Sequence, residues 1–124
     1  MRKANHTGDG AARLFFMTIV LITIGGVEKQ FRIDSYVVDT LMPDLVLHDH
    51  QPSAFLVYLQ LWHRSTAGRG RVCLSHQEVA DATGLSKSAV QAAIRTLARR
   101  RLIRATRESS TAVPQYAVLR PWRR

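Results

Sequence analysis

The sequence predicts an α+β fold with a helical middle and short strands after it, and three observations carry that expectation. Apolar residues recur at i, i+3, i+4 and i+7 in residues 52–65 and again in 86–100, the spacing of amphipathic helices. Two strand-like runs follow, "LIRATR" and "QYAVLR", separated by the turn-forming "ESSTAVP". The length of 124 residues suits one modest core and is too short for two independent ones.

Taken in order, residues 1–16 read as a flexible tail and residues 17–50 as a β-hairpin plus a short helix. "LFFMTIVLITI", residues 14–24, stands behind a basic leader containing Arg2, Lys3 and Arg13. It is too short to span a bilayer. It has the length of a signal-peptide core, yet no small-x-small cleavage site follows. The Gly25-Gly26 pair and the alternation of Val27, Lys29, Phe31 and Ile33 with Glu28, Gln30 and Arg32 favour the hairpin. Met17 is an alternative start. "DSYVVDTLM" places Val37, Val38 and Leu41 on one helical face, with Asp34 or Ser35 able to cap it. Pro43 biases Met42 away from helix, so "PDLVLHDH" is expected as a helical turn or loop.

Pro52 suits the first turn of a helix running to about Ser65. Phe55, Leu56, Tyr58, Leu59 and Trp62 form its apolar stripe, and Val57 and Leu61 widen it beyond one buried face. The helix therefore has material for both its own core and a partner. After the Gly-containing loop "STAGRGR" comes the strand "VCL", with Cys73 expected in the core. A single thiol makes no internal disulfide, and a reducing interior suits it. Ser75 and Glu78 form a capping box opening a helix over about 76–82, with Val79 and Ala80 inward and Ala82 close to the same side. Gly84 supplies a left-handed end, Leu85 plugs the turn, and Ser86 caps the next helix, which runs to about Arg100.

Charge is unevenly placed. The chain carries +9 overall, yet residues 1–50 hold five Lys/Arg against six Asp/Glu, and residues 51–124 hold thirteen against three. The excess beside the second amphipathic helix points to a polyanion partner, nucleic acid or an anionic surface. Fifteen of the eighteen basic residues are Arg, whose planar forks suit phosphate and guanine edges, although genome composition produces the same bias.

Two short helices joined by a glycine-containing turn form a helix-turn-helix pattern. In the second, Val90, Ala93, Ile94 and Leu97 point to the core, while Lys87, Ser88, Gln91 and Arg95 lie opposite. All four hydrogen-bond and none is acidic. Gln pairs with the adenine N6/N7 edge and Arg with guanine O6/N7. Ser86 and Ser88, beside the helix amino end, suit a phosphate.

"VCLSHQEVADATGLSKSAVQAAIRTLARRRLI", residues 72–103, resembles the winged helix-turn-helix modules of prokaryotic transcription regulators and of some replication initiators. The shared features are the strand, S-x-x-E-V-A, T-G-L-S, K-x-x-V, and L-I leading into a hairpin. The resemblance extends over about residues 51–119. It implies a recognition helix over 86–100 and a wing over 104–117. Arg101 stands where such modules often have Gly, which predicts a less sharply turned helix end. Arg104 and Arg107 before the wing loop, and Arg120, Arg123 and Arg124 after it, suit a phosphate backbone or an adjacent minor groove. Of Arg99–Arg101, Arg99 is taken as a DNA contact; the helix dipole alone also accounts for cations there. Trp122 reads as a tail anchor within the basic tail 120–124.

Other chemistry is poorly supported. His48 and His50 lack a convergent third metal ligand, and His63 and His76 fall on helices facing solvent or a neighbour. No catalytic grouping stands out, so no enzyme activity, metal or cofactor is expected. The expected protein is a cytoplasmic, nucleoid-associated double-stranded DNA-binding regulator. Its expected homodimer forms through the amino-terminal segment and helix 52–65, with no membrane partner. Replication initiation or DNA maintenance, and a winged-helix protein–protein module, are the alternatives.

Overall fold

The structure, a computed structural model, describes residues 30–65 and 70–123. The chain divides into two units, Met1–Gln30 and Phe31–Arg124, and the described residues belong, Gln30 apart, to the second. The predicted tail and most of the predicted hairpin lie outside the described residues. Residues 30–33, the end of that hairpin, are in no strand.

Two wide helical turns of the π type, Val37–Leu41 and Asp44–His48, precede the helix α1 (Pro52–Ser65). Strand β1 (Arg71–Cys73), helices α2 (His76–Thr83) and α3 (Lys87–Arg99), and strands β2 (Ile103–Thr106) and β3 (Gln115–Val118) follow. The strands form one antiparallel sheet in the order β1-β3-β2, with Tyr116 of β3 opposite Val72 on one side and Ala105 on the other. No helix among the described residues is long and apolar enough to cross a membrane.

The π turns correct the first helical expectation. Helical residues begin at Ser35, so Asp34 stands at the amino end as expected, its carbonyl accepting from Val37 N–H at 3.0 Å, while its carboxylate is engaged by Trp122 and Arg123. Val37, Leu41 and Leu45 are buried at intervals of four, whereas Val38 is 46% exposed. A turn closed by i→i+5 bonds is wider than an α turn, so a four-residue interval stays on one face and Val38 swings outward. Met42 also remains helical before Pro43, at φ −59° and ψ −57°, with its N–H on the Val37 carbonyl. A proline ring collides with the carbonyl four residues back in a tight helix, and the widened turn relieves that collision.

Helix α1 is the centre of the core. Ala54, Phe55, Val57, Tyr58, Leu61 and Trp62 are all buried, and the helix packs on α2, α3, β1, β3 and the second π turn. Most of the wide stripe is therefore consumed within the chain. Leu56, at 44% exposure, and the half-buried Leu59 are what remains of it for another surface.

Two buried tyrosines differ in a way that stability measurements resolve. Tyr58 donates its hydroxyl to the Leu119 carbonyl at 2.9 Å, tying α1 to the end of β3. The buried Tyr116 hydroxyl has no hydrogen-bond partner among the described residues. Burial pushes both phenols above their ordinary pKa. Tyr58→Phe is expected to cost about 1 kcal/mol in urea unfolding, because it strands a carbonyl. Tyr116→Phe is expected to be neutral or stabilising, because it removes an unpaid desolvation. Equal losses from the two changes would contradict these assignments.

Strand alternation decides the place of Cys73. Val72 turns inward opposite Tyr116, so Arg71 and Cys73 both turn out, and Cys73 is exposed rather than in the core. The capping box forms as predicted, with Glu78 N–H on Ser75 Oγ at 3.1 Å and Ser75 N–H on Glu78 Oε1 at 2.8 Å. Val79 and Ala80 are buried, but Ala82 is exposed, one helical step past the buried face. Gly84 is left-handed at φ 80°, and Leu85 packs on the core.

The end of α3 is sharply turned despite its arginine, which overturns that expectation. Arg101 itself takes the left-handed conformation, at φ 59°. Its N–H reaches the Ala98 carbonyl and the Leu102 N–H reaches Leu97, the paired bonds of a Schellman motif. Leu97 and Leu102, the apolar pair of that motif, are both buried. Their burial offsets a left-handed strain of about 1 kcal/mol.

Candidate nucleic-acid interface

Helix α3 has one buried side and one open side. Val90, Ala93, Ile94, Thr96 and Leu97 are buried. Lys87, Ser88, Arg95 and Arg99 are exposed, and Gln91 is half-buried between them. Ser86, at the amino end, spends its hydroxyl as a cap on Ala89 N–H at 3.1 Å and lies 3.3 Å from the Ser88 hydroxyl. The structure thus gathers Ser86, Lys87, Ser88, Gln91, Arg95 and Arg99 along α3. The ion pairs among the described residues lie elsewhere, at Asp34, Asp44 and Asp49. The α3 cations Lys87, Arg95 and Arg99 therefore meet no carboxylate among the described residues.

The arginine triplet is divided by its helical positions. Arg99 and Arg101 are exposed, but Arg100 turns back to the π turns. Its guanidinium donates to Asp49 Oδ2 at 2.6 Å and to Asp44 Oδ2. Arg100, and secondarily His48, hold the Asp44 carboxyl below its ordinary pKa. His48 Nδ1 lies 2.9 Å from Asp44 Oδ1, so this histidine faces a carboxylate. Among the described residues no cluster of three or more His, Cys, Asp or Glu is placed to hold a metal ion.

The wing strands carry the second set. Arg104 is exposed and sits opposite Ala117, which on its other side faces Arg71 of β1. Arg71, Ala117 and Arg104 form one cross-strand row on the outer face of the sheet. The sequence holds a signal for Arg71, since an inward Val72 turns its neighbour outward. Arg107, past the end of β2, donates to the Ser110 carbonyl at 3.2 Å and keeps its exposed position at the wing loop.

Arg120 and Arg123 are not placed with the wing, a correction to their expected role. Arg120 stacks over the Trp62 ring at 4.3 Å, and Arg123 donates to Asp34 Oδ1 at 2.5 Å. Trp122 pulls the tail to this position. Its ring stacks on Tyr36 at 4.5 Å, and its Nε1 donates to Asp34 Oδ2 at 2.9 Å. Asp34 is held below its ordinary pKa by the Trp122 bond first and the Arg123 bond second. Arg124 lies outside the described residues.

His76 is the residue that the sequence undervalues. It opens α2, is half-buried, and lies with Nδ1 3.3 Å from Gln91 Nε2. Burial first, then Arg107 and Lys87, lower its pKa from the ordinary imidazole value. A wing arginine and an α3 lysine thus both disfavour a charge on this one side chain.

Residues 51–103 match a family described as a helix-turn-helix domain. That segment runs from the start of α1 to the start of β2 and includes the α2–turn–α3 unit. Together with the three-stranded antiparallel sheet that β2 and β3 complete beyond that segment, it gives the chain a winged helix-turn-helix, α+β fold. The structure is similar to that of the AntR antimony-specific transcriptional repressor, at 21% identity and a TM-score of 0.42, over 77% of this chain and 76% of that one. No curated protein sequence matches the chain.

Proposed function

We propose that this protein binds double-stranded DNA with sequence specificity and regulates transcription. Helix α3 enters the major groove, and the wing lies on the backbone beside it. The observation that carries this reading is the open face of α3. Lys87, Ser88, Gln91 and Arg95 stand on a helix whose other side is buried, and no acid among the described residues pairs with them. A major groove admits such a helix, with Gln91 suited to an adenine edge and Arg95 to a guanine edge. Ser86 and Ser88 at the helix amino end, with Arg99, Arg104 and Arg107, are suited to phosphates.

One module of this size buries limited surface, so two copies serve specificity better. The proposed homodimer uses the amino-terminal segment and the accessible Leu56 and Leu59 of α1, and presents its two α3 helices to half-sites about 34 Å apart.

Selection from a random duplex pool tests the proposal, followed by titration of the selected duplex over a salt series. The expected result is a two-fold symmetric motif, bound with an affinity that falls steeply with salt, as for about five to eight neutralised phosphates. A pool from which nothing is enriched, with retention indifferent to salt, would sink it.

A further inference from the structure

Among the described residues, Gln91 is the member of the α3 face that is held from another helix. Its Nε2 lies 3.3 Å from His76 Nδ1. An amide nitrogen only donates, so this contact needs Nδ1 as an unprotonated acceptor, with the imidazole proton on Nε2. With Nδ1 accepting, the carboxamide lies with its nitrogen toward α2 and its oxygen left for an incoming group.

We infer that His76 is a positioning residue of the reading surface, setting the orientation of the Gln91 carboxamide and thereby the base that Gln91 prefers. The inference rests on the DNA-binding reading above. The two ends of a carboxamide are not equivalent at a base edge. Adenine offers its N6 amino group to an acceptor and its N7 to a donor, side by side. A Gln91 held through one N–H retains the oxygen and the second N–H for that pair. Released from His76, the side chain samples other rotamers and both amide orientations, and it discriminates less between bases.

The surroundings favour the uncharged imidazole, the state in which Nδ1 is able to accept. Lys87 on α3 and Arg107 beyond β2 both oppose a further positive charge, in addition to burial. Glu78, the acid of the first turn of α2, has its carboxylate engaged by Ser75 N–H at 2.8 Å. Protonation turns Nδ1 into a donor, which repels the amide N–H and favours the oxygen in its place. The carboxamide then presents its nitrogen outward, and its base preference changes.

The test is selection from a random duplex pool with the wild type, Gln91→Ala, His76→Ala and His76→Asn, at about pH 7.5 and about pH 5. Asparagine places an accepting oxygen near the Nδ1 position and does not titrate. Gln91→Ala identifies the base pair concerned. His76→Ala is expected to lose roughly tenfold in preference at that base pair alone, while His76→Asn retains it. Wild-type preference there is expected to change at the lower pH, and that of His76→Asn to hold. Unaltered preference in His76→Ala, or identical pH responses of the wild type and His76→Asn, overturns the positioning role while leaving DNA reading intact. Absence of any enriched motif with the wild type overturns both together. The pH comparison with His76→Asn decides the matter even where His76→Ala folds poorly in thermal melts.

Discussion

Trp62→Ala is expected to cost about 4 kcal/mol of folding stability, measured by urea unfolding followed by circular dichroism. Trp62 is 2% exposed, and truncation leaves a large void in α1, the helix on which the rest of the core packs. Its contacts also reach both ends of the unit. Its Nε1 donates to the Arg32 carbonyl at 2.7 Å, its ring lies parallel to Trp122 at 6.3 Å, and Arg120 covers it at 4.3 Å. A domain of this size has only about 5–15 kcal/mol in hand, so the variant should be partly unfolded at moderate urea. Trp62→Phe keeps much of the ring but strands the Arg32 carbonyl, for an expected loss of about 2 kcal/mol. An alanine variant within about 1 kcal/mol of the wild type would mean that the two ends are not held through this ring.

Arg95→Ala is expected to weaken binding to the selected duplex by roughly ten- to a hundredfold and to relax preference at one base pair. Arg99→Ala should instead weaken selected and scrambled duplexes alike and reduce the salt slope by about one. Both side chains are exposed and neither is in an ion pair of the described residues, so both variants should melt as the wild type does. Arg100→Ala is the informative control. It removes the bonds to Asp44 and Asp49, and should lower the melting temperature while leaving base preference unchanged. Fluorescence anisotropy on matched duplexes separates the three. Equal effects of Arg95→Ala on both duplexes would contradict a groove contact.

The parts of this arrangement legible in the sequence are those set by neighbours in the chain. The Ser75–Glu78 capping box, the left-handed Gly84, the Ser86 cap and the two faces of α3 all depend on intervals of three or four residues. Local periodicity reports such intervals directly. The parts that escape are long-range. Arg123 finds Asp34 across 89 positions, and Arg100 finds Asp44 across 56, so neither basic residue joins the open face that composition suggests for it. The π turns escape for another reason. Val37, Val38 and Leu41 fit an α-helical face on paper, and only the widened turn selects Val37 and Leu41 over Val38. Cys73 shows the limit of composition: an apolar neighbourhood in a three-residue strand does not say which side is inside. His76 is visible in the sequence, but its meeting with Gln91 depends on how α2 crosses α3.

The tight exit of α3 has a consequence for the proposed target. Leu102 N–H closes on Leu97, and Leu119 N–H closes on Leu102, so helix and wing are joined at one buried leucine with no slack between them. The pair then acts as a calliper of fixed opening. Where a duplex does not match that opening, the duplex has to bend or narrow its groove, at a cost that depends on the stiffness of base steps no side chain touches. Selected sites should therefore favour particular steps between the groove contacts and the wing contacts, written by the span of the protein itself.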